Sequence, residues 1–437
     1  VHKLITRKIT LEDIYRHLVF ITTVCYIIYS NNVSNGFTLA ISPWLVIIFS
    51  FAFFWKSRSQ PHHLILSYFI LVSNVSIVVS DYFNDGLVVT YTAARTDEIY
   101  STLINVMLLF ISIVAIYYKG YEQGFHDKSN LKINDNLIIY SIMIGVLSVI
   151  IMTGITNTGD LSKYSVSVAS YYSYGIIAIL LAYVNSGSSK LRKNILYLLS
   201  IIFVFQDLIY GGRKSLFELS ILFLLIKYKE KITPIRLILV SIIGYIAYVA
   251  TGLYRVNYNI DAVSISNIMN ELINRKFVFD TPVGAYYASA THIFASSYFD
   301  LEFKFSSFGD FIKQVFLGGS NGSGNLTLFI SQNLSRSMGG GVMPSHFFFW
   351  FGWIGVFIIA VIIVRLLNIH LNNEYKKYFS IIFVCTVTNW YLYTPLVLFR
   401  EAVLAVFMAY ILSKIINQIT SRYDPLRHKN VLERGSK

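Results

Sequence analysis

Apolar residues run through this chain in long blocks separated by short polar connections. A membrane-spanning helix needs about 20 mostly apolar residues. By that rule the pattern predicts about twelve spanning helices. They lie near 13–30, 38–55, 64–80, 99–118, 135–155, 166–184, 195–210, 215–227, 235–253, 346–368, 379–397 and 401–418. Lys3, Arg7 and Lys8 precede the first block as in a signal peptide, but no small-residue cleavage site follows, so it reads as a retained helix. The predicted fold is an all-α polytopic membrane protein. Residues 1–253 carry helices 1–9, residues 254–345 form one large loop, residues 346–418 carry helices 10–12, and residues 419–437 form a basic tail.

The large loop is too polar to span and too long for a plain linker, which marks it as functional. Two stretches in it have helical stripes. Ile265, Ile268, Met269, Leu272 and Ile273 form one, and Phe305, Phe308, Phe311, Ile312 and Phe316 the other. Helices of this kind lie flat at a membrane surface or pack on the bundle. Between them stand Asp280-Thr281-Pro282 and an aromatic run from Tyr286 and Tyr287 to Tyr298 and Phe299.

Composition agrees with the pattern. The 437 residues are 55% hydrophobic and only 14% charged, with a mean hydropathy of +0.58. A soluble chain carries about 25% charged residues. A cytoplasmic enzyme, a disulfide scaffold and a nucleic-acid-binding domain are therefore excluded. Cys25 and Cys385 both fall in apolar segments and show no metal spacing. The net charge of +13 acquires meaning once the bases are sorted by side. With the N-terminus inside, 25 of the 36 lysines and arginines fall in alternate connections or in the C-terminal stretch from Lys414 on. Both termini are expected to be cytoplasmic.

The other bases fall on the outer side, where an arginine runs against the usual trend and points to an anionic ligand. The strongest local signal is the turn Gly211-Gly212-Arg213-Lys214 between two short apolar segments, with Asp207 before it and Glu218 after it. Arg213 can grip a phosphate bidentately and Lys214 can add a point charge. Snorkelling bases paired to Asp207 or Glu218 are the structural alternative. Arg255 and Arg336 are further candidates, with Arg95, Arg275 and Arg400 behind them. Of the nine histidines, His292 and His346 fall on the outer side, and a neutral imidazole there can accept a hydroxyl proton. Asp280, Asp300 and Glu302 are the carboxylate alternatives. No Asp-x-Asp pair, P-loop or zinc motif occurs, so the expected chemistry needs no metal and no cofactor. Tyr286, Tyr287 and Tyr298 are candidates for stacking on sugars.

Two motifs, GGRKSLFE at 211–218 and GGGVMPSHFFFWFGWIG at 339–355, combine with the helix number and the late outer loop. Together they resemble the O-antigen and oligosaccharide repeat-unit polymerases (Wzy-type). The resemblance in layout covers most of the chain. It implies a glycosyltransferase that joins undecaprenyl-pyrophosphate-linked units at the periplasmic face of the bacterial inner membrane. The growing chain would be the donor and a hydroxyl of a new lipid-linked unit the acceptor. The lipid-linked oligosaccharides, membrane lipid and a chain-length regulator are the implied partners. The family's functional arginines map onto Arg213 and, more loosely, onto Arg255 and Arg336. Where the family often has an acidic residue before the Phe-Gly, this chain has His346, so the base is open among His346, His292 and Asp280. The fold of lipid-linked glycan ligases (GT-C-like) is an analogy. A lipid-linked oligosaccharide flippase, an O-antigen ligase and a membrane O-acyltransferase remain alternatives.

Overall fold

The computed structural model describes residues 10–33, 36–82, 96–120, 131–157, 166–210, 212–257, 263–276, 278–317, 322–334, 340–369, 373–403 and part of 406–418. Among these the fold is helical. The first helices are α1 (Leu11–Asn32), α2 (Gly36–Lys56), α3 (Pro61–Asp81), α4 (Asp97–Tyr117) and α5 (Leu137–Thr153). Then come α6 (Gly175–Val184), α7 (Lys190–Ile209), α8 (Lys214–Lys227), α9 (Pro234–Asn257), α10 (Ile265–Asn274) and α11 (Asp280–Tyr298). The last are α12 (Leu301–Leu317), α13 (Leu326–Asn333), α14 (Met343–Leu367), α15 (Glu374–Cys385), α16 (Val387–Leu392) and a π-helical turn at Leu398–Val403.

Many of these helices start at a side-chain cap. Thr10, Thr96, Asn136, Ser189, Ser264 and Asn373 each accept from a backbone N–H of the first turn, which satisfies donors that the helix itself cannot. Four helices are long and apolar enough to cross a membrane by length and composition: α3, α4, residues Pro234–Tyr254 of α9, and α14. The chain is a helical membrane protein.

Burial differs sharply between these four. α4 is apolar on every side and is packed by α1, α2, α11 and α14, which makes it the central helix. α9 is nearly all exposed. It packs closely on α10 and meets the bundle through polar contacts, one of them Tyr68 to Ser241 at 2.5 Å. With Ile235, Ile238, Leu239, Ile242 and Ile243 open along it, α9 presents an apolar face fit for lipid.

Three expected spans take other forms. The stretch 166–184 is not one helix. Its Val166–Val168 pairs antiparallel with Ile155–Asn157, and a 3₁₀ turn at Ser170–Tyr174 leads into the ten-residue α6. The β-branched valines favour the ladder, which with an isolated bridge between Asp135 and Ser186 departs from an all-α fold among the described residues. The stretch 379–397 is broken at Thr386 into α15 and α16. α8 has 14 residues, which is a length of about 21 Å.

The expected outer loop is also more deeply built than its polarity predicts. α10 packs back along α9, with Leu272 against Tyr245 and Val249. The Tyr245 hydroxyl donates to the carbonyl of Val278 at 3.0 Å, so the chain has returned to the middle of α9. α11 then rises beside α3: the Phe279 N–H donates to Ser76, and Tyr286 and Tyr287 reach Tyr82 and Asp81 at that helix's end. α11 is buried for most of its length because Ala, Ser, Thr and Gly let neighbouring backbones approach closely.

Helix α14 is divided. Gly352 has φ 59° and ψ −145°, a conformation open essentially to glycine alone. The half before it, with His346 and Trp350, packs on α11 and α12, where Trp350 Nε1 donates to Ser307 at 3.0 Å.

Candidate functional site

The Gly-Gly-Arg turn links α7 to α8 and is fixed by Asp207. The Gly212 N–H donates to the Asp207 carbonyl at 2.7 Å, and the Asp207 carboxylate accepts from the Ser215 N–H at 2.9 Å and its hydroxyl at 2.5 Å. Asp207 therefore caps the start of α8. A side chain on Gly212 would collide with this carboxylate, so glycine is required there by close approach. Gly211 lies outside the described residues.

Arg213 leaves this turn toward α9. Its Nη1 donates to the Tyr248 carbonyl at 3.2 Å, and its guanidinium lies 4.1 Å from the Tyr248 ring centroid. Among the described residues no carboxylate lies within ion-pair distance of it. Burial lowers its pKa, and Asp280 is the largest influence in the other direction. Asp280 itself pairs with Arg275 at 3.1 Å, and Arg275 pairs with Glu271 at 2.7 Å. Asp280 thus ties α10 to the start of α11, and its carboxylate is engaged. The Tyr248 hydroxyl bonds Thr281 at 2.9 Å, which holds the platform under Arg213 to the same corner.

Lys214 points the other way, into the bundle. Its Nζ lies 3.8 Å from Glu218 and 3.9 Å from Glu401, both almost completely buried. The expected internal partner Glu218 is present, and Glu401 joins it from the far end of the sequence.

The two outer histidines meet. His292 from α11 and His346 from α14 are buried, with ring centroids 4.4 Å apart. Ser345 donates its hydroxyl to the Val342 carbonyl at 2.7 Å and contacts His292 Nδ1 at 2.9 Å. The single hydroxyl proton of Ser345 serves one of these two contacts, and when it goes to Val342 the Nδ1 of His292 is the donor. His346 Nε2 is buried without a hydrogen-bond partner, although the backbones of Gly341 and Tyr393 lie against the ring. A neutral imidazole can take part in proton transfer with a hydroxyl brought to the ring.

The segment before His346 is pinned on three sides. The Gly340 carbonyl accepts from Thr327 at 3.0 Å, the Gly341 N–H donates to Leu392 at 2.9 Å, and the Val342 N–H donates to Ser289 at 2.7 Å. Gly340 has φ 88°, and a side chain on Gly341 would strike His292. Gly340 is thus demanded by backbone shape and Gly341 by the histidine pair, while Gly339 lies outside the described residues. Tyr393 connects the two centres: its backbone lies against His346, and its phenol is within electrostatic reach of Arg213.

The three tyrosines separate. Tyr286 and Tyr287 are buried, bonded to Tyr82 at 2.7 Å and Asp81 at 2.5 Å, and meet each other and Tyr100 in edge-on and tilted ring contacts. Tyr298 is 68% exposed and presents its ring outward. Arg336 and the side chain of Arg255 lie outside the described residues. No group of His, Cys, Asp and Glu that could hold a metal occurs among the described residues. Ser345, Tyr248, Tyr393 and Glu401 were not legible as site residues, because their roles arise from partners distant in sequence.

Comparison of the chain with protein-family models, curated proteins and solved structures finds no match.

Proposed function

We propose that this chain is a membrane glycosyltransferase that polymerises undecaprenyl-pyrophosphate-linked oligosaccharide repeat units into O-antigen or a similar surface polysaccharide. The observation that carries this reading is Arg213: a half-buried guanidinium held over Tyr248, with no carboxylate in ion-pair range among the described residues. Such a group is ready for an anion, and a diphosphate fits its planar donor array.

The chemistry follows from the parts. A hydroxyl of the incoming lipid-linked unit attacks the anomeric carbon of the growing chain. A new C–O bond forms, and the bond from that carbon to the lipid pyrophosphate breaks. The hydroxyl proton goes to Nε2 of His346, with His292 and Ser345 orienting the pair. The departing pyrophosphate gains negative charge, which Arg213 stabilises, with Lys214, Arg255 and Arg336 as the further cations of this reading. No metal enters the scheme. Tyr298 offers an exposed ring for a sugar face, and Tyr286 and Tyr287 are the further aromatic candidates of this reading. The reaction site is placed at the outer face of a bacterial cytoplasmic membrane crossed by about twelve helices, with both chain ends in the cytoplasm.

Purified protein given synthetic lipid-pyrophosphate-linked repeats tests this. Polymer formation that survives a chelator and is lost in Arg213→Ala supports it. Wild-type protein that releases no lipid pyrophosphate and makes no polymer overturns it.

A flippase reading draws on a different observation. The break at Gly352 in α14, together with the buried charges around Lys214, is the kind of feature transporters place near mid-membrane. Inner-face lipid-linked units trapped in a deletion strain would favour transport. Single repeats on the cell surface would favour polymerisation, and polymer left unattached would favour a ligase.

A further inference from the structure

The short helix α10 sits at a depth where its polar side needs an explanation. It descends along α9, and Ile268 and Leu272 join Tyr245, Val249 and Leu253 in one apolar cluster. At its foot the Tyr245 hydroxyl holds the Val278 carbonyl, and the Tyr245 ring meets Phe279 at 4.7 Å between centroids. Tyr245 lies nine residues before Tyr254, where the spanning stretch of α9 ends. That is about 13 Å along the helix. On the other side the Phe279 N–H donates to Ser76, five residues before the end of α3, or about 7 Å. Two separate helices thus place the foot of α10 beneath the outer ends of the spanning segments.

The helical repeat sorts α10 into three sectors. Ile268 and Leu272 face α9. Beside them Ile265, Met269 and Ile273 form an apolar row that is 82%, 51% and 67% exposed. This row suits lipid, as the open face of α9 does. The rest of the circumference carries Ser266, Asn267, Asn270, Glu271 and Asn274, and the three asparagines are exposed. An amide facing hydrocarbon without a partner is costly, so the asparagine side does not face lipid.

The foot is more polar still. Lys276 is exposed and turns the chain with a φ of 48°. Arg275 pairs with Glu271 and Asp280, and all three side chains are partly exposed. Arg213 reaches the same corner through Tyr248, whose hydroxyl bonds Thr281. Charged side chains at membrane depth face a bundle interior or a water-filled cavity. Irregular backbone at that depth is tolerated on the same terms. The groups at this foot are open rather than packed away, which leaves the cavity.

We propose that α10 is a re-entrant helix set in the outer leaflet, and that its asparagine side and the Arg213 corner wall a water-filled vestibule open to the outer face. The ligand class follows from the lining. Each asparagine amide offers both donors and an acceptor, which suits the neighbouring hydroxyls of a sugar. Arg213 at the foot suits the diphosphate that adjoins the glycan. The vestibule therefore receives the glycan end of a lipid-linked substrate, while the row of Ile265, Met269 and Ile273 stays in lipid. The vestibule stands apart from the glycosyltransferase reading, and its glycan ligand rests on that reading.

Nitroxide labels on the purified full chain in lipid vesicles test it. Cys25→Ser and Cys385→Ala first remove the native thiols. Single labels then go in at Ile265→Cys, Met269→Cys, Asn270→Cys, Ile273→Cys and Asn274→Cys, each in place of an exposed side chain. Labels at 270 and 274 should collide more with a water-soluble nickel chelate than with oxygen, and labels at 269 and 273 should show the reverse. The label at 273 should also lie about 12 Å deeper than the one at 265. Equal depths would mean that α10 lies flat on the membrane surface, and would overturn the proposal. Nickel preference at 269, 270, 273 and 274 alike, or oxygen preference at all of them, would overturn it as well. For the ligand, a synthetic lipid-pyrophosphate-linked repeat should lower nickel contact at 270 and 274, and undecaprenyl pyrophosphate without sugar should leave it unchanged. Protection by both compounds alike, or by neither, overturns the glycan assignment. Repeats that protect these positions yet are never polymerised count against the transferase reading alone.

Discussion

Arg213 and Lys214 are adjacent in sequence and opposite in circumstance. Arg213 faces an aromatic ring and a backbone carbonyl, and Lys214 faces two buried carboxylates. Removing them should therefore have different consequences. Arg213→Ala leaves no buried carboxylate stranded, so protein level should hold while polymer formation is lost. Arg213→Lys keeps the charge but loses the planar fork and the ring stacking, and at least a tenfold loss in kcat is expected, about 1.4 kcal/mol in the barrier. Normal ladders of polymer in Arg213→Ala would refute the assignment. For His346→Ala the expected loss in kcat is roughly 10²–10⁴-fold, the usual contribution of a general base, with KM for the acceptor little changed. A rise in KM at constant kcat would instead make His346 a binding group. Gly341→Ala reaches the same pair indirectly, because the added methyl strikes His292. It should lower activity without touching either ring's chemistry.

At the scale of the element, the helices with the plainest apolar runs were the most legible. α3, α4 and α14 stand where hydropathy puts them, because a run of Leu, Ile, Val and Phe long enough to span needs no partner to be recognised. α11 was hidden for the opposite reason. Its Ala residues are interspersed with Ser, Thr, Tyr and His, which weakens the apolar run, yet small side chains and hydroxyls bonded back to the helix make it the tightly packed neighbour of α3, α4 and α14. The same limit applies to the site. The Gly-Gly-Arg turn was legible because its charges and glycines are contiguous. The His292–Ser345–His346 arrangement was legible only as two separate histidines, since their meeting depends on how α11 packs on α14. The break in α14 makes a prediction of its own. A methyl on Gly352 would meet nothing, so any cost of Gly352→Ala comes from its φ of 59° alone. Strain of this kind costs of order 1–3 kcal/mol. A drop in thermal midpoint in detergent should report it, and an unchanged midpoint would mean that the two halves of α14 can rejoin as one straight helix.

Among the described residues, several of the basic connections meet at one end of the bundle. The Lys56 ammonium donates to the Ala115 carbonyl at 2.7 Å, the Lys119 N–H donates to Asn368 at 3.1 Å, and Arg192 pairs with Asp135 at 2.5 Å. Lys132 and Glu374 meet there too, through a backbone N–H and a carboxylate 3.3 Å apart. All of these lie in connections that the charge pattern assigns to the cytoplasm. Asp81, Tyr82, Tyr286 and Tyr287 meet at the other end of α3. Alternating loops of a helical bundle must segregate in this way, so the packing agrees with the alternation read from charge, although charge alone sets which end faces inward. Lys and Arg near helix ends resist translocation, and the inward end should be the basic one. Because α10 turns back at mid-α9 and α11 rises again, residue 300 should emerge on the side of Asn257, opposite residue 125. Phosphatase or fluorescent reporters fused after residues 125 and 300 should then give opposite readouts, with 125 cytoplasmic. Matching readouts would mean that α10 and α11 together cross the bilayer an odd number of times. That outcome would put His292 and Arg213 at opposite membrane faces and remove the basis for a shared reaction site.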